Sequence, residues 1–256
     1  MDGLRARFSG VRAEARRQAL VPQAPTAHAM GVAGRLEDGA LVSPAAVDVS
    51  SYPVRGIDVS HFQGAIDWIQ VKTAGLSFVY IKATDGADGV DDDFAANWRG
   101  AASAGLARGA YHFYNFCQTG SAQAARFVKT VPVEAGALPP TIDLEESGDC
   151  GRMPAKAAFR KDLAVFVAKV QAVYGHPPIL YVNYGIYDQY FKGENDSYKL
   201  WIADPRHAAP ALPEAWTMWQ YGWHGRVAGV PGEVDLDVFN GTPQMLAELA
   251  GSSAAR

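Results

Sequence analysis

Short apolar runs recur along the chain after about residue 54, and each run ends in polar or aromatic residues. Runs of this length, bounded by turn-forming residues, are typical of buried β-strands. Eight of them are present, at residues 56–60, 77–84, 108–115, 140–146, 178–184, 199–204, 216–221 and 234–239. Segments with the helical period lie between the earlier runs, at residues 67–74, 92–104, 121–131 and 154–174. The chain therefore predicts strands that alternate with helices.

The order of these elements predicts the fold class. Alternation of strands and helices favours a parallel sheet, and eight strands favour a closed barrel. The last connections, at residues 185–198, 205–215 and 222–233, are short for a helical crossover and rich in Pro and Gly, so we expect loops or single turns there. The prediction is an α/β fold, an irregular TIM-like barrel of about five βα units followed by three β-strands.

Length and composition indicate one globular domain with an extension. The chain has 256 residues, of which 48% are hydrophobic and 20% charged, as in ordinary globular proteins. Residues 1–50 have weak periodicity, so we expect a largely irregular N-terminal extension and a barrel domain at residues 51–256. No apolar run reaches the roughly 18 residues of a transmembrane segment. The basic N-terminus has no clear signal peptide, unless the start site is misassigned.

Charge and cysteine content exclude several classes of function. Acidic residues outnumber Lys and Arg by 27 to 23 without a basic stripe, which argues against a nucleic-acid-binding protein. The two cysteines, Cys117 and Cys150, are too few for a disulfide-dense scaffold or a cysteine-rich zinc site. They follow the third and fourth predicted strands, so both should lie at the same end of the barrel. In an exported protein they could form a disulfide; the alternative is two free thiols.

Acidic residues fall at strand ends, where barrel enzymes carry their chemistry. Asp143 and Glu145 are two residues apart on one strand and should share its inner face. Two nearby carboxylates cannot ionise equally, so one stays protonated, as glycosidic cleavage requires. Asp58 ends the first predicted strand and Asp235 lies in the last, so the two could meet at one rim of a closed barrel. The alternatives are an exposed acidic strand end for the first pair and helix-cap or turn roles for the second.

Several segments, in order, resemble glycoside hydrolase family 25, the Chalaropsis-type lysozymes. The resemblance covers about residues 54–250 and is carried by residues 56–64 (Gly-Ile-Asp-Val-Ser-His-Phe-Gln-Gly), 78–86, 109–113, 142–145, 201–204, 219–221 and 234–241. It implies an irregular barrel that needs no metal or organic cofactor. It also implies an N-acetylmuramidase, which cleaves the β-1,4 bond between N-acetylmuramic acid and N-acetylglucosamine in bacterial peptidoglycan. This substrate leads us to expect a secreted or envelope-acting protein. A monomer is the default expectation, since the sequence does not reveal the oligomeric state.

The resemblance assigns roles by position. Glu145 matches the general acid, and Asp143 matches the carboxyl group that orients the substrate N-acetyl group or a water. Asp58 and Asp235 match two flanking acids that hold the sugar and keep Glu145 protonated. Six further residues are expected to bind substrate: Tyr111, Lys82, Tyr181, Trp201, Asp204 and Gln220. The alternative is core packing for the aromatic residues and Gln220, a structural ion pair for Lys82, and a cap or salt-bridge role for Asp204.

Two other functions stay open at this point. One is another N-acetylhexosamine glycosidase, such as a chitinase, because such barrels also carry acids on the fourth strand. The other is a non-catalytic peptidoglycan-binding barrel. The presence of all four acids argues against the second, because a binding module has no need to keep them.

Overall fold

The structure is a computed structural model that describes residues 48–146, 150–194, 196–207, 209–212 and 215–251. The extension predicted at residues 1–50 lies outside the described residues except for its last three. No helix in the described part of the chain combines the length and apolar character needed to span a membrane.

Within the described residues, nine strands form one sheet, and eight of them close into a barrel because β1 pairs with both β2 and β9. The order around the barrel is β1-β2-β4-β5-β6-β7-β8-β9, and the two-residue β3 extends β2 as a hairpin. The eight predicted strands and the irregular barrel are thereby confirmed. The strands are β1 (Val54–Val59), β2 (Phe78–Asp85), β3 (Gly89–Val90), β4 (Ala107–Phe113), β5 (Thr141–Leu144), β6 (Ile179–Val182), β7 (Leu200–Ala203), β8 (Met218–Gly225) and β9 (Val234–Phe239).

The direction of the last strand differs from the parallel sheet expected from the sequence. Strand β9 runs antiparallel to both of its neighbours, whereas β1, β2 and β4 to β8 run parallel to one another. The connection from β8 to β9 spans only residues 226–233. It is too short for the crossover that a parallel strand would need. The start of β9 therefore lies at the barrel end where the parallel strands finish.

Helices cover the outside of the barrel. The four predicted helices are confirmed as α1 (Trp68–Thr73), α2 (Phe94–Ser103), α3 (Gly120–Thr130) and α4 (Lys156–Tyr174). Asp67 caps α1 by accepting hydrogen bonds from two backbone N–H groups, those of Ile69 and Gln70. Gly175 follows α4 in the left-handed conformation that ends many helices.

Two helices were not predicted, α5 (Tyr184–Tyr190) and α6 (Pro243–Leu249). The expectation of a loop or single turn at residues 185–198 is thus wrong for its first part. The Asn183 side chain accepts a hydrogen bond from the backbone N–H of Ile186, and this N-cap starts α5. Ile186, Tyr187 and Tyr190 are buried, so packing rather than length stabilises the helix.

The core has two layers, one inside the barrel and one between the sheet and the helices. Alternate residues of each strand enter one layer or the other: in β5, Ile142 and Leu144 pack toward the helices, while Asp143 points inward. The interior is crowded by aromatic rings. At Gly109 a Cβ atom would lie 2.2 Å from the Tyr80 ring, so only glycine fits there.

The cysteines form a disulfide. The Cα atoms of Cys117 and Cys150 lie 5.4 Å apart, within the range that a disulfide requires. The bridge joins the connection after β4 to the connection after β5, at the same end of the barrel, as the sequence indicates.

Candidate active site

The four predicted acids converge at the carboxyl end of the parallel strands. Asp58 lies near the end of β1, directly opposite Asp235 of the antiparallel β9. Asp143 lies in β5, and Glu145 is the first residue after that strand. Each side chain faces the barrel interior because of strand alternation, so the expectation that both pairs meet at one end agrees with the geometry.

Burial changes the ionisation of these acids, because a carboxylate loses hydration in a confined space. Burial raises the pKa of Glu145 to about 7, and repulsion from Asp58 adds to the effect. The pKa of Asp235 is raised to about 9 by burial and then by Asp58. Burial and the charge of Glu145 raise the pKa of Asp143 well above its usual value. Burial also raises the pKa of Asp58, to about 6.

Lys82 supplies positive charge beside the acids. A bulge after Lys82 shifts the register of β2 against β4, so Asp85 comes to the same face as Lys82. The Lys82 Nζ atom lies 2.9 Å from Asp85 Oδ2 and 4.6 Å from the centre of the Phe113 ring. Lys82 also lowers the pKa of both Asp143 and Glu145. Its acidic partner is therefore Asp85, with the two site acids as further neighbours.

Tyr111 is half-buried in β4 and faces the acids. Burial raises the pKa of Tyr111 well above its usual value, and the charges of Asp58, Asp143 and Asp235 act in the same direction. Its hydroxyl group consequently stays protonated at neutral pH and can donate a hydrogen bond.

Gln220 connects Asp58 to two aromatic residues beneath the acids. Its Nε2 atom donates to Asp58 Oδ2 over 2.9 Å. Its Oε1 atom accepts hydrogen bonds from the Tyr181 hydroxyl and from Trp223 Nε1, each over 2.9 Å. These contacts fix the amide so that its N–H faces Asp58. Gln220 and Tyr181 are buried, and their hydrogen bonds hold the Asp58 side chain in place from inside the barrel.

Asp237 is a fifth inward-facing acid that the sequence analysis did not single out. It is fully buried, and Trp201 Nε1 donates to its Oδ1 atom over 3.0 Å. Trp201 is itself only 2% exposed, which leaves little of its ring to contact a sugar. The signal was present, since Asp235 and Asp237 have the same two-residue spacing as Asp143 and Glu145.

Asp204 lies apart from this cluster. It follows β7 on the outer side of the barrel, where it accepts hydrogen bonds from the Tyr184 hydroxyl and His207 Nδ1, both over 2.7 Å. These contacts join the β7–β8 connection to α5, so the position of Asp204 favours the structural alternative given for it above.

Among the described residues, no group of three or more His, Cys, Asp or Glu side chains is arranged to hold a metal ion. The Oδ1 atom of Asp143 is buried and has no hydrogen-bond partner in this part of the chain. Inward-facing acids with unequal pKa values at one end of a closed α/β barrel are the arrangement that a carboxylate-type glycoside hydrolase uses.

Comparisons with known proteins identify the family. The model of glycosyl hydrolases family 25 matches residues 57–230. Lysozyme M1 of Streptomyces globisporus is 36% identical over 242 residues, which cover 88% of this chain and 82% of the relative. The N,O-diacetylmuramidase of a Chalaropsis species is 30% identical over 203 residues, which cover 71% of this chain and 96% of the relative. The chain belongs to glycosyl hydrolase family 25.

Solved structures agree with this assignment. The bacterial lysozyme from Streptomyces coelicolor superposes with a TM-score of 0.73 at 36% identity and covers 78% of this chain and 98% of its own. A family 25 glycosyl hydrolase from Bacillus anthracis superposes with a TM-score of 0.76 at 32% identity and covers 82% of this chain and 99% of its own. The family resemblance drawn from the sequence and the enzyme class it implies are confirmed.

Proposed function

We propose that the protein is an N-acetylmuramidase that hydrolyses the β-1,4 bond between N-acetylmuramic acid and N-acetylglucosamine in bacterial peptidoglycan. One observation carries the proposal: four acids meet at one end of the barrel, and burial gives one of them a pKa near neutrality. The lysozyme and muramidase names of the relatives support the choice of substrate.

Glu145 is the general acid in this proposal. With a pKa of about 7, it keeps its proton in a large share of molecules at neutral pH. It can then protonate the glycosidic oxygen as the bond breaks, which a carboxyl group with an ordinary pKa could not do efficiently. Asp58 ionises at lower pH than Glu145, and its negative charge helps to retain the proton on Glu145.

Asp143 orients the group that attacks the anomeric carbon. Its buried Oδ1 atom, without a partner among the described residues, can accept a hydrogen bond from the N–H of the substrate acetamido group. Such a bond would direct the acetamido oxygen at the anomeric carbon, which is the substrate-assisted variant of glycoside hydrolysis. An oriented water molecule is the alternative attacking group.

The remaining groups surround the sugar. Asp235 and Tyr111 face the same space as Glu145 and can hydrogen-bond to hydroxyl groups, while Lys82 balances part of the negative charge. We propose that the enzyme acts as a monomer on the cell wall, outside the cytoplasmic membrane. The disulfide is compatible with that location, because disulfides persist in oxidising compartments.

The test compares wild type with Glu145→Gln on purified peptidoglycan, with new reducing ends identified by mass spectrometry. Wild type should release fragments that end in N-acetylmuramic acid, and loss of the general acid should lower the rate about 10²–10⁴-fold. Glu146→Gln is the matched control, because Glu146 is exposed and lies on the opposite face of the segment. It should retain the wild-type rate.

Parallel incubations separate this function from the two alternatives. Release of products from chitin but not from peptidoglycan would point to a chitinase-like enzyme. Binding to the wall without turnover by either protein would contradict the enzyme assignment. Peptidoglycan from which the acetyl groups have been removed should resist cleavage, because it lacks the proposed attacking oxygen; equal cleavage would favour attack by water.

A further inference from the structure

Asp237 is the most enclosed acid of the site, and its environment does not suit an ion. The side chain is fully buried inside the barrel, on β9. Oδ1 accepts from Trp201 Nε1, but Oδ2 receives no N–H or hydroxyl donor from the described residues. An ionised carboxylate with one unpaired buried oxygen would be very costly.

The pairing of β1 with β9 brings the carboxyl group of Asp58 next to Asp237. Asp58 pairs with Asp235 across β1 and β9, and Gly56 pairs with Asp237, so Asp58 and Asp237 are diagonal neighbours on the inner face. Each carboxyl group shifts the pKa of the other, upward for Asp237 and downward for Asp58, as a hydrogen bond between them would. Two carboxylates in such contact repel strongly, and a proton between them turns the repulsion into a hydrogen bond.

The surroundings decide which of the two acids holds the proton. Burial and the charges of Asp58 and Asp235 raise the pKa of Asp237 well above its usual value. Asp58 is half-buried, accepts a second hydrogen bond from Gln220 Nε2, and has a pKa of only about 6. The other titratable groups near Asp237 are the hydroxyl groups of Tyr80 and Tyr221, and neither brings a positive charge that would ionise it.

We propose that Asp237 is a positioning residue that stays protonated and donates a hydrogen bond to Asp58, thereby holding Asp58 as an anion facing Glu145. The proposal rests on the proposed function, in which Glu145 is the general acid. Asp237 touches neither the sugar nor Glu145. It acts through Asp58, whose charge helps Glu145 to keep its proton.

The test uses two substitutions of nearly equal size. In Asp237→Asn the side-chain N–H can donate to Asp58 while the carbonyl oxygen accepts from Trp201, so kcat/KM should stay within about threefold of wild type. In Asp237→Leu the donor is lost, and kcat should fall by about tenfold or more. The acidic limb of the pH profile should then move up by about one pH unit, because Asp58 needs a higher pH to ionise without its donor. The profile of Asp237→Asn should not move.

A simple structural role for Asp237 predicts a different pattern. It would lower stability in both variants without moving the acidic limb, and that result would overturn the proposal. A shift of the acidic limb in Asp237→Asn as large as that in Asp237→Leu would also overturn the proposal. The hydrogen bond donated to Asp58 would then not be the cause of the shift.

An infrared measurement tests the shared proton without substrate and without Asp237→Leu, which could fail to fold. The wild-type minus Asp237→Asn difference spectrum at neutral pH should contain the C=O stretch of a protonated carboxyl group. A difference spectrum with carboxylate bands alone would refute the proposal. If wild type cleaves no peptidoglycan but the protonated band is present, the proposed function fails while the protonation of Asp237 stands.

Discussion

Removal of the disulfide between Cys117 and Cys150 tests how much the covalent link contributes to stability. The two residues are separated by 33 positions in the chain. In the chain-entropy model, closing a loop of this length lowers the entropy of the unfolded chain by about 12.5 cal/mol/K. At 25 °C this corresponds to about 3.7 kcal/mol of stabilisation, a substantial part of the roughly 5–15 kcal/mol by which native domains are stable.

The double variant Cys117→Ser/Cys150→Ser should therefore unfold more readily than the oxidised wild type. A domain of about 200 residues has an unfolding entropy of about 0.4 kcal/mol/K, so the thermal midpoint should fall by about 9 °C. The assay is equilibrium unfolding in urea and by heat, with far-UV circular dichroism as the readout. Reduced wild-type protein is the matched control and should behave like the double variant, while reductant should not change the double variant further.

Equal stability of the double variant and oxidised wild type would refute this reasoning. It would mean that the connections after β4 and β5 stay close in the unfolded chain, or that the native state gains nothing from the link. Loss of activity without loss of stability would have another meaning. The bridge would then serve to hold the connection that follows Glu145, because Cys150 lies five positions beyond that residue.

Two further predictions concern single side chains. Asp204→Asn should lower the free energy of unfolding by about 1–3 kcal/mol, since it weakens the part-buried hydrogen bonds from Tyr184 and His207 to the buried Asp204 carboxylate, and should leave KM unchanged. A raised KM at wild-type stability would instead show contact with substrate. Lys82→Met should move the basic limb of the kcat/KM profile to higher pH, because Lys82 lowers the pKa of Glu145. A shift of that limb to lower pH would contradict this effect of Lys82 on Glu145. Lys129→Met, on the exposed face of α3, should leave that profile unchanged.

The barrel and its main acids could be predicted because they depend on periodicities that are local in the sequence. Strand alternation placed Asp143 on the inner face, and the burial of Ile142 and Leu144 against the helices agrees. The ranges of α1 and α4 likewise depend on local signals, the N-cap residue Asp67 and the left-handed Gly175.

Features that depend on contacts between distant segments were missed. The alternation of apolar residues in β9 is the same for either strand direction, so only the short connection from β8 could have revealed that it is antiparallel. The bulge in β2 that turns Asp85 toward Lys82 leaves no mark in the apolar pattern. Helix α5 was missed because its stability comes from packing of Ile186, Tyr187 and Tyr190.

The antiparallel direction of β9 also explains why five acids gather at one end of the barrel. In a parallel strand, Asp235 would lie near the end opposite to Asp58, because it is the second residue of β9. Once gathered, the five acids cannot all be ionised in a largely buried space. Burial raises the pKa of each acid, and hydrogen-bond donors then separate them: Asp58 has the amide of Gln220, whereas Asp143 Oδ1 and Asp237 Oδ2 have no N–H or hydroxyl donor among the described residues. The charge that keeps Glu145 protonated thus depends on side chains behind Asp58 as much as on the number of acids around it.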